Sequence, residues 1–350
     1  MSSHPVDAAG SASASERYSR QVTLMGPQAQ EKLAASRVAV TGAGGLGSPA
    51  LLYLAAAGVG RITLIDDDTV ELTNLHRQVI HSSTAAATGE SKAHSARARM
   101  TELNPDVHID PVVERLTWEN ALTFLEGADL VLDGTDNFDT RHVASHAAAR
   151  LGIPHVWASI LGYQAQLSVF WAGHGPIYED LFPTPPAPGA VPSCSQAGVL
   201  GPLVGIVGSA MALEAIKLIT GVGRPLLGRL AYYDSLTASW EEIPVAANPE
   251  VTEQVRTGTP PHGPVEVTEV PPGSTIIDVR ETKEFAEFHL PGAINVPLAE
   301  ILGGYTPPEV ENGAVVVCAR GARSAHAVDA LERRGITGLA SLRGGLARFR

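Results

Sequence analysis

Three glycines and a set of charged residues could bind a nucleotide. VAVTGAGGLG (38–47) places Gly42, Gly44 and Gly47 in a GxGxxG pattern, with Gly45 inside it, between a β-branched run and an Ala/Leu-rich stretch. Glycines there let the backbone turn tightly and bring amides onto a phosphate at a helix N-terminus. Asp66 closes the next apolar run, nineteen residues after Gly47, where a carboxylate reaches a ribose hydroxyl. Alone, this fits a nicotinamide dinucleotide. The continuation DDDTVELTNLHRQ (66–78) does not, because it adds Asp68, Asn74, Arg77 and Gln78. GESK (89–92) adds Lys92, and LDGTDN (132–137) adds Asp136. Cations with a carboxylate suit a triphosphate with Mg2+: Arg77 and Lys92 neutralise oxygens, and Asp136 holds the metal.

A second chemistry lies in VVVCARGARSA (315–325), which holds one of only two cysteines. Cys318 ends an apolar run and precedes a helix expected from about Ser324. Loop amides around Gly321, the helix dipole, and Arg320 and Arg323 all favour the thiolate, and the same donors would hold a persulfide. A buried core thiol is the plain alternative. Four residues separate Cys318 from Arg323, one fewer than in phosphatase loops, so the ring of amides suits one sulfur better than a phosphate. Cys194, in the Pro-rich VPSCSQAG (191–198), is open between a structural thiol and a second nucleophile.

The elements that must carry these groups alternate. RVAV (37–40), RITLID (61–66), DLVLDGTDN (129–137), HVWAS (155–159) and QLSVFW (166–171) read as strands, with a helix over 47–60. That order predicts a Rossmann-like, doubly wound, mostly parallel α/β sheet, whose ligands bind at the C-terminal strand edge. Residues 246–264 are polar and Pro/Gly-rich without helical period and read as linker. A smaller α/β unit follows, with strands in STIIDVR (274–280), GAINVPL (292–298) and AVVVC (314–318). Its helix over 324–335 has Ala327, Ala330 and Leu331 on one side and Gly335 as C-cap.

At 350 residues, 44% hydrophobic and 5% aromatic, the chain has room for two domains with Ala/Val/Leu/Ile cores. A net charge of −12 argues against general nucleic-acid binding. Two cysteines build no disulfide framework, and residues 1–16 read as a flexible tail without a secretory h-region, so a cytoplasmic location is expected. The uncharged stretch 197–213 holds Gly and Pro and is followed by Glu214 and Lys217, which predicts a buried helix or subunit contact rather than a membrane span.

Five ordered motifs then carry a resemblance: RYSRQVTLMG (17–26), GAGGLG, DxDxVExTNLxRQ, GxxK and TDN. Together they resemble the HesA/MoeB/ThiF family, relatives of ubiquitin-activating enzymes, over 17–245. IIDVRETKEFAEFHLPGAINVPL and CARGARS resemble a single rhodanese (sulfurtransferase) domain over 271–350, leaving 246–270 as linker. The resemblance implies that ATP adenylates the C-terminal glycine of a ubiquitin-like sulfur-carrier protein ending in Gly-Gly. A sulfur donor then loads Cys318, and transfer gives a thiocarboxylate. It implies ribose binding by Asp66, phosphate binding by Arg77 and Lys92, Mg2+ at Asp136 and Asn74 beside the reacting phosphate. Arg20 would reach the phosphates, often from the partner of a homodimer. Cys194 would form a thioester or acyl disulfide.

The chain departs from the family twice. Many relatives carry structural zinc on two CxxC pairs, but the first pair would fall at Ile177 and Asp180 and the second after Asn248-Pro249, in EVTEQ. The twelve histidines are read as showing no replacing ligand spacing, so a zinc-free enzyme is expected, held there by other packing. The rhodanese-like segment stops at GGLARFR, which predicts a less stable edge. Two other readings stay open. An NAD-dependent oxidoreductase would explain the glycines and Asp66 but leave Lys92, Arg77 and the second unit without a role. A catalytically inactive scaffold would explain the missing zinc ligands but not Asp136, Lys92 and Cys318.

Overall fold

Residues 16–185, 198–258, 265–310 and 313–349 are described by a computed structural model, and Cys194 lies outside them. They fall into two compact units that divide near residue 260.

In the first unit the apolar runs pair into one eight-stranded sheet, ordered β3-β2-β1-β4-β5-β6-β7-β8. The strands are β1 (Arg37–Thr41), β2 (Arg61–Ile65), β3 (His108–Val112), β4 (Leu130–Asp133), β5 (His155–Leu161), β6 (Gln164–Phe170), β7 (Arg229–Asp234) and β8 (Ser239–Pro244). From β3 through β5 the pairings are parallel. The central strand is shielded on both faces: every residue of β4 is buried, whereas the edge strand β3 buries only Ile109. From β5 to β8 the pairings are antiparallel. The expected parallel sheet therefore holds for the half that carries the glycine loop, and an antiparallel meander extends it. The meander finishes on an edge strand exposed throughout its length.

The helix Gly47–Ala57 follows β1 and stops at Gly58, which takes the left-handed φ of +80°. The helix Gly201–Thr220 packs against it and buries Leu203, Val204, Val207, Met211 and Ala215. Among the described residues it is the one helix long and apolar enough to cross a membrane, and half of its apolar window is buried inside the protein. Glu214 points inward and accepts from the Leu226 amide at 2.8 Å.

Residues 246–270 are not a featureless linker. A helix spans Pro249–Thr257, capped by the Asn248 side chain on the Glu250 amide at 3.0 Å. Its one buried residue, Val255, packs with Ala149, Ala172 and Ile177. Val251, four residues earlier on the same face, packs against that cluster too, so the helical period is present but rests on two valines. The same span also contains β9 (Glu266–Val267), a strand of the second unit.

That unit is a five-stranded parallel sheet ordered β11-β10-β12-β13-β9. The remaining strands are β10 (Ile276–Asp278), β11 (Ile294–Asn295), β12 (Ala314–Val317) and β13 (Leu339–Leu342). Ile277, Val279, Val316, Val328 and Leu331 form its core. The helix after β12 spans Ala322–Glu332, beginning two residues ahead of Ser324.

Candidate functional site

The glycine loop is built backbone on backbone. Gly42 has φ +89°, and a Cβ at Gly47 would lie 1.9 Å from the Gly42 carbonyl oxygen. A Cβ at Gly134, just after β4, would meet the Gly47 nitrogen at 3.0 Å. No side chain fits where β1, the helix start and the β4 turn meet. A Cβ at Gly44 would meet only Gln78 Nε2, at 3.8 Å, so this side of the loop is open, while one at Gly45 would touch Val204 at 3.2 Å.

The Ala43 peptide is gripped from both sides. Its amide donates to Asp66 Oδ2 at 2.7 Å, and the Asp68 amide donates to Asp66 Oδ1 at 2.9 Å. Its carbonyl lies 3.0 Å from His81 Nε2. A carbonyl only accepts, so Nε2 carries the proton and Nδ1 accepts from the Ser95 hydroxyl at 3.0 Å. Burial lowers the His81 pKa to about 4, which keeps the ring neutral. Burial raises the Asp66 carboxyl to about 6, against the opposing pull of Lys92 and the two amides. Lys92 is itself buried and pairs with the exposed Asp68 at 2.8 Å.

The next turn carries the rest of the charge set. Asn74 is buried and accepts from the Glu71 amide at 3.1 Å, and Arg77 Nη1 donates to the Thr73 carbonyl at 3.1 Å. Gln78 is buried beside the loop, with Oε1 lacking a partner among the described residues. Asp136 is exposed on the turn after β4. Beneath it, Asp133 accepts from the Thr135 amide at 2.9 Å and hydroxyl at 2.6 Å, with His155 Nε2 at 3.4 Å. Burial pushes the Asp133 carboxyl up, but His155, Arg141 and Thr135 outweigh it and hold the pKa below the ordinary value. Arg141 Nη2 donates to the Thr135 carbonyl at 3.1 Å and fixes the same turn.

The structure thus brings Gly42, Gly44, Gly45, Gly47, Asp66, Asp68, Gln78 and Lys92 together, with Asn74, Arg77 and Asp136 on the adjoining turns. It does not bring Arg20 there. Arg20 is in the helix Ser19–Met25, between Tyr18, whose ring lies under Gly58, and Gln21, which donates to the Ala57 carbonyl at 2.9 Å. Those partners sit at the far end of the Gly47–Ala57 helix, about 16 Å from the loop at 1.5 Å per residue.

The thiol loop in the second unit is a separate site. Cys318 is buried at the end of β12. Its Sγ accepts from the Gly321 amide at 3.1 Å and the Ser324 hydroxyl at 3.5 Å. Ser324 Oγ also donates to the Gly321 carbonyl at 2.8 Å. The Cys318 and Ala319 carbonyls accept from the Leu346 and Ala347 amides at 2.8 and 3.0 Å, so the GGLARFR segment forms the loop's backing. The arginines divide in a way their spacing does not reveal. Arg323 is held in a bidentate pair with Glu284, at 2.7 and 2.8 Å, and those bonds hold the Glu284 carboxyl below its ordinary range. Most of its charge is therefore neutralised, and Arg320 is the exposed cation with no side-chain partner among the described residues. The sulfur's described donors are the Gly321 amide and, at longer range, the Ser324 hydroxyl, whose single hydrogen is shared with the Gly321 carbonyl.

Comparison with known proteins shows the family of each unit. The model of the ThiF family matches residues 18–254, and that of the rhodanese-like domain matches 267–350. The chain belongs to the ThiF family. The probable adenylyltransferase/sulfurtransferase MoeZ of Mycobacterium tuberculosis is 41% identical over 94% of this chain and 91% of its own length. The sulfur carrier protein adenylyltransferase of Thermus thermophilus is 48% identical over 67% of this chain and 88% of its own. Among solved structures, E. coli MccB with ATP aligns with a TM-score of 0.59 at 22% identity, covering 67% of this chain and 72% of that one, a likeness of fold.

Membership in this family removes the NAD-oxidoreductase reading. It also sharpens the zinc question, because the residues at the two CxxC positions do other work in the ThiF domain. Ile177 is buried against Val255, and Asp180 accepts from the Ile177 amide at 2.8 Å and the Asn248 amide at 3.0 Å. Those contacts join the two segments that four thiolates would have joined, and the residues present there do not fit a zinc ion held by four cysteines. The reading of the histidines needs correction, however. His142 and His146 stand one helical turn apart and converge on Glu179. Sequence reasoning also passed over His81, Asp133 and Arg141. The first two follow or end apolar runs, a position that by itself carries no chemical signal. Only the polar TDN turn beside Arg141 offered a signal.

Proposed function

We propose that this chain uses ATP to adenylate the C-terminal glycine of a ubiquitin-like sulfur-carrier protein, and then transfers sulfur to that carboxyl from a persulfide on Cys318. The observation that carries this reading is the glycine loop with Asp66, Lys92 and the open face at Gly44, in one chain with a thiol that accepts from the Gly321 amide at the start of a helix. In the first step a carrier carboxylate oxygen bonds to the α-phosphorus of ATP. The bond from that phosphorus to the bridging oxygen breaks, and pyrophosphate leaves. The loop amides and helix N-terminus receive phosphate oxygens, Asp66 accepts from the ribose, and Lys92 and Arg77 neutralise charge on pyrophosphate as it forms. Asp136, which has no side-chain partner among the described residues, would hold a Mg2+ that neutralises phosphate oxygens. Arg20 would complete the site of a second copy, which makes the working unit a homodimer.

In the second step the terminal sulfur of Cys318–S–S⁻ attacks the acyl carbon, and AMP leaves with the electron pair of the C–O bond. The acyl disulfide is then cleaved by a thiol, Cys194 or one from solution. That thiol is oxidised to a disulfide with Cys318, and the carrier departs as thiocarboxylate. Pyrophosphate exchange into ATP tests the first step and should require a carrier ending in Gly-Gly; exchange without it removes the protein substrate. Intact mass tests the second. Carrier incubated with ATP and a sulfur donor should gain the difference of sulfur over oxygen with the wild type but not with Cys318→Ser. Equal conversion by both removes Cys318 from the reaction.

A further inference from the structure

Outside the nucleotide and thiol sites, the buried face of the Phe138–Leu151 helix carries a cluster that neither reaction uses. His142 and His146 are four positions apart and share one face of that helix. Glu179, in the short helix Tyr178–Leu181, projects between them. One donor atom from each lies within 4.8 Å of the others. Glu179 Oε1 is 3.0 Å from His142 Nδ1 and 3.6 Å from His146 Nε2. We propose that His142, His146 and Glu179 bind a zinc ion that ties this helix to the segment after β6.

The spacing fits. Tetrahedral zinc with bonds of about 2.0–2.1 Å sets its ligand atoms about 3.3 Å apart, and the two measured separations bracket that value. Hydrogen bonding alone serves the cluster poorly. The 3.6 Å contact is too long for a hydrogen bond. His142 Nε2 and His146 Nδ1 have no partner among the described residues, so in the metal-bound form water would have to accept from these outer N–H groups. The surroundings fix the donors. The Ser145 hydroxyl donates to Glu179 Oε2 at 2.8 Å, leaving Oε1 to face the imidazoles. Trp118 stands edge-on to His146 and Tyr178 edge-on to His142, each with centroids 5.0 Å apart. His146 is partly exposed, which gives the ion an entry and water a fourth position. Two imidazoles with one carboxylate suit Zn2+ rather than Mg2+ or Ca2+, which favour all-oxygen sets. Glu179 also lies between Ile177 and Asp180, where the thiolate pair is missing, so the cross-link would be remade with different donors beside the old position.

The test uses tag-free full-length chain, stripped with a chelator and free of nucleotide. Titrated Co2+, a spectroscopic stand-in, should bind with one equivalent showing visible d–d bands, which Zn2+ then displaces, and metal should raise the unfolding midpoint. His146→Gln, at the partly exposed position, and Glu179→Gln should each lose the bands and the shift while keeping the wild-type far-UV spectrum. Asp136→Asn should keep both. The proposal is overturned if the stripped wild type shows no such bands, or if the bands survive in both His146→Gln and Glu179→Gln.

Discussion

Asp66 and His81 hold opposite ends of one peptide, and their titrations oppose each other. Asp66 has a folded pKa of about 6 against an ordinary 3.8. As pH falls through 6, the folded chain takes up a proton that the unfolded chain does not, so Asp66 adds stability toward acid. His81 has a folded pKa of about 4 against 6.5. The unfolded chain is protonated first, so His81 removes stability over the same window. At 1.36 kcal/mol per pH unit, each contributes about 2 kcal/mol between pH 7 and about 4.5, with opposite sign, and the wild-type pair nearly cancels. Asp66→Asn should therefore lose about 2 kcal/mol more than wild type over that range, and His81→Gln about 2 kcal/mol less. The double variant should follow wild type. Urea unfolding read by tryptophan emission measures this, because all four tryptophans, 118, 157, 171 and 240, lie in the ThiF domain. Other titrating groups are common to all four chains and drop out of the differences. Single variants that both track the wild type, or that both move in one direction, would refute the reasoning.

Three further outcomes follow from the geometry. Gly47→Ala places a methyl 1.9 Å from the Gly42 carbonyl oxygen and should abolish ATP–pyrophosphate exchange, while thiosulfate sulfurtransfer by the rhodanese domain persists. Glu284→Gln releases the charge of Arg323 beside Cys318, so iodoacetamide alkylation of the Cys318 peptide, followed by mass spectrometry, should accelerate several-fold at neutral pH. An unchanged rate would mean the sulfur does not sense that cation. Asp180→Ala leaves the Ile177 and Asn248 amides without their acceptor and should lower ThiF-domain stability by about 2 kcal/mol in the same urea assay.

The nucleotide-binding edge was legible because its determinants are local. Glycines 42 to 47, Asp66 and the turn to Gln78 follow one strand each, and their order fixes which end of the sheet they share. The thiol loop was legible for the same reason. What stayed hidden depends on residues distant in sequence. Glu284 neutralises Arg323 from another helix, and His81 and Ser95 reach back to Ala43. Glu179 meets two histidines whose i, i+4 spacing was visible but whose third donor was not. The Pro249–Thr257 helix was missed differently: its i, i+4 pair Val251 and Val255 was legible but stood inside a polar, Pro/Gly-rich stretch read as linker. The antiparallel meander was not foreseen either, because strand direction is set by hairpin and crossover lengths more than by strand composition.

Leu346 and Ala347 supply the amides that satisfy the Cys318 and Ala319 carbonyls. Every strand of the ThiF sheet precedes Cys318 in the chain, whereas the amides that close its loop come after it. The order of synthesis therefore separates the two chemistries in time. A nascent chain can complete its nucleotide fold while its thiol loop still has open carbonyls.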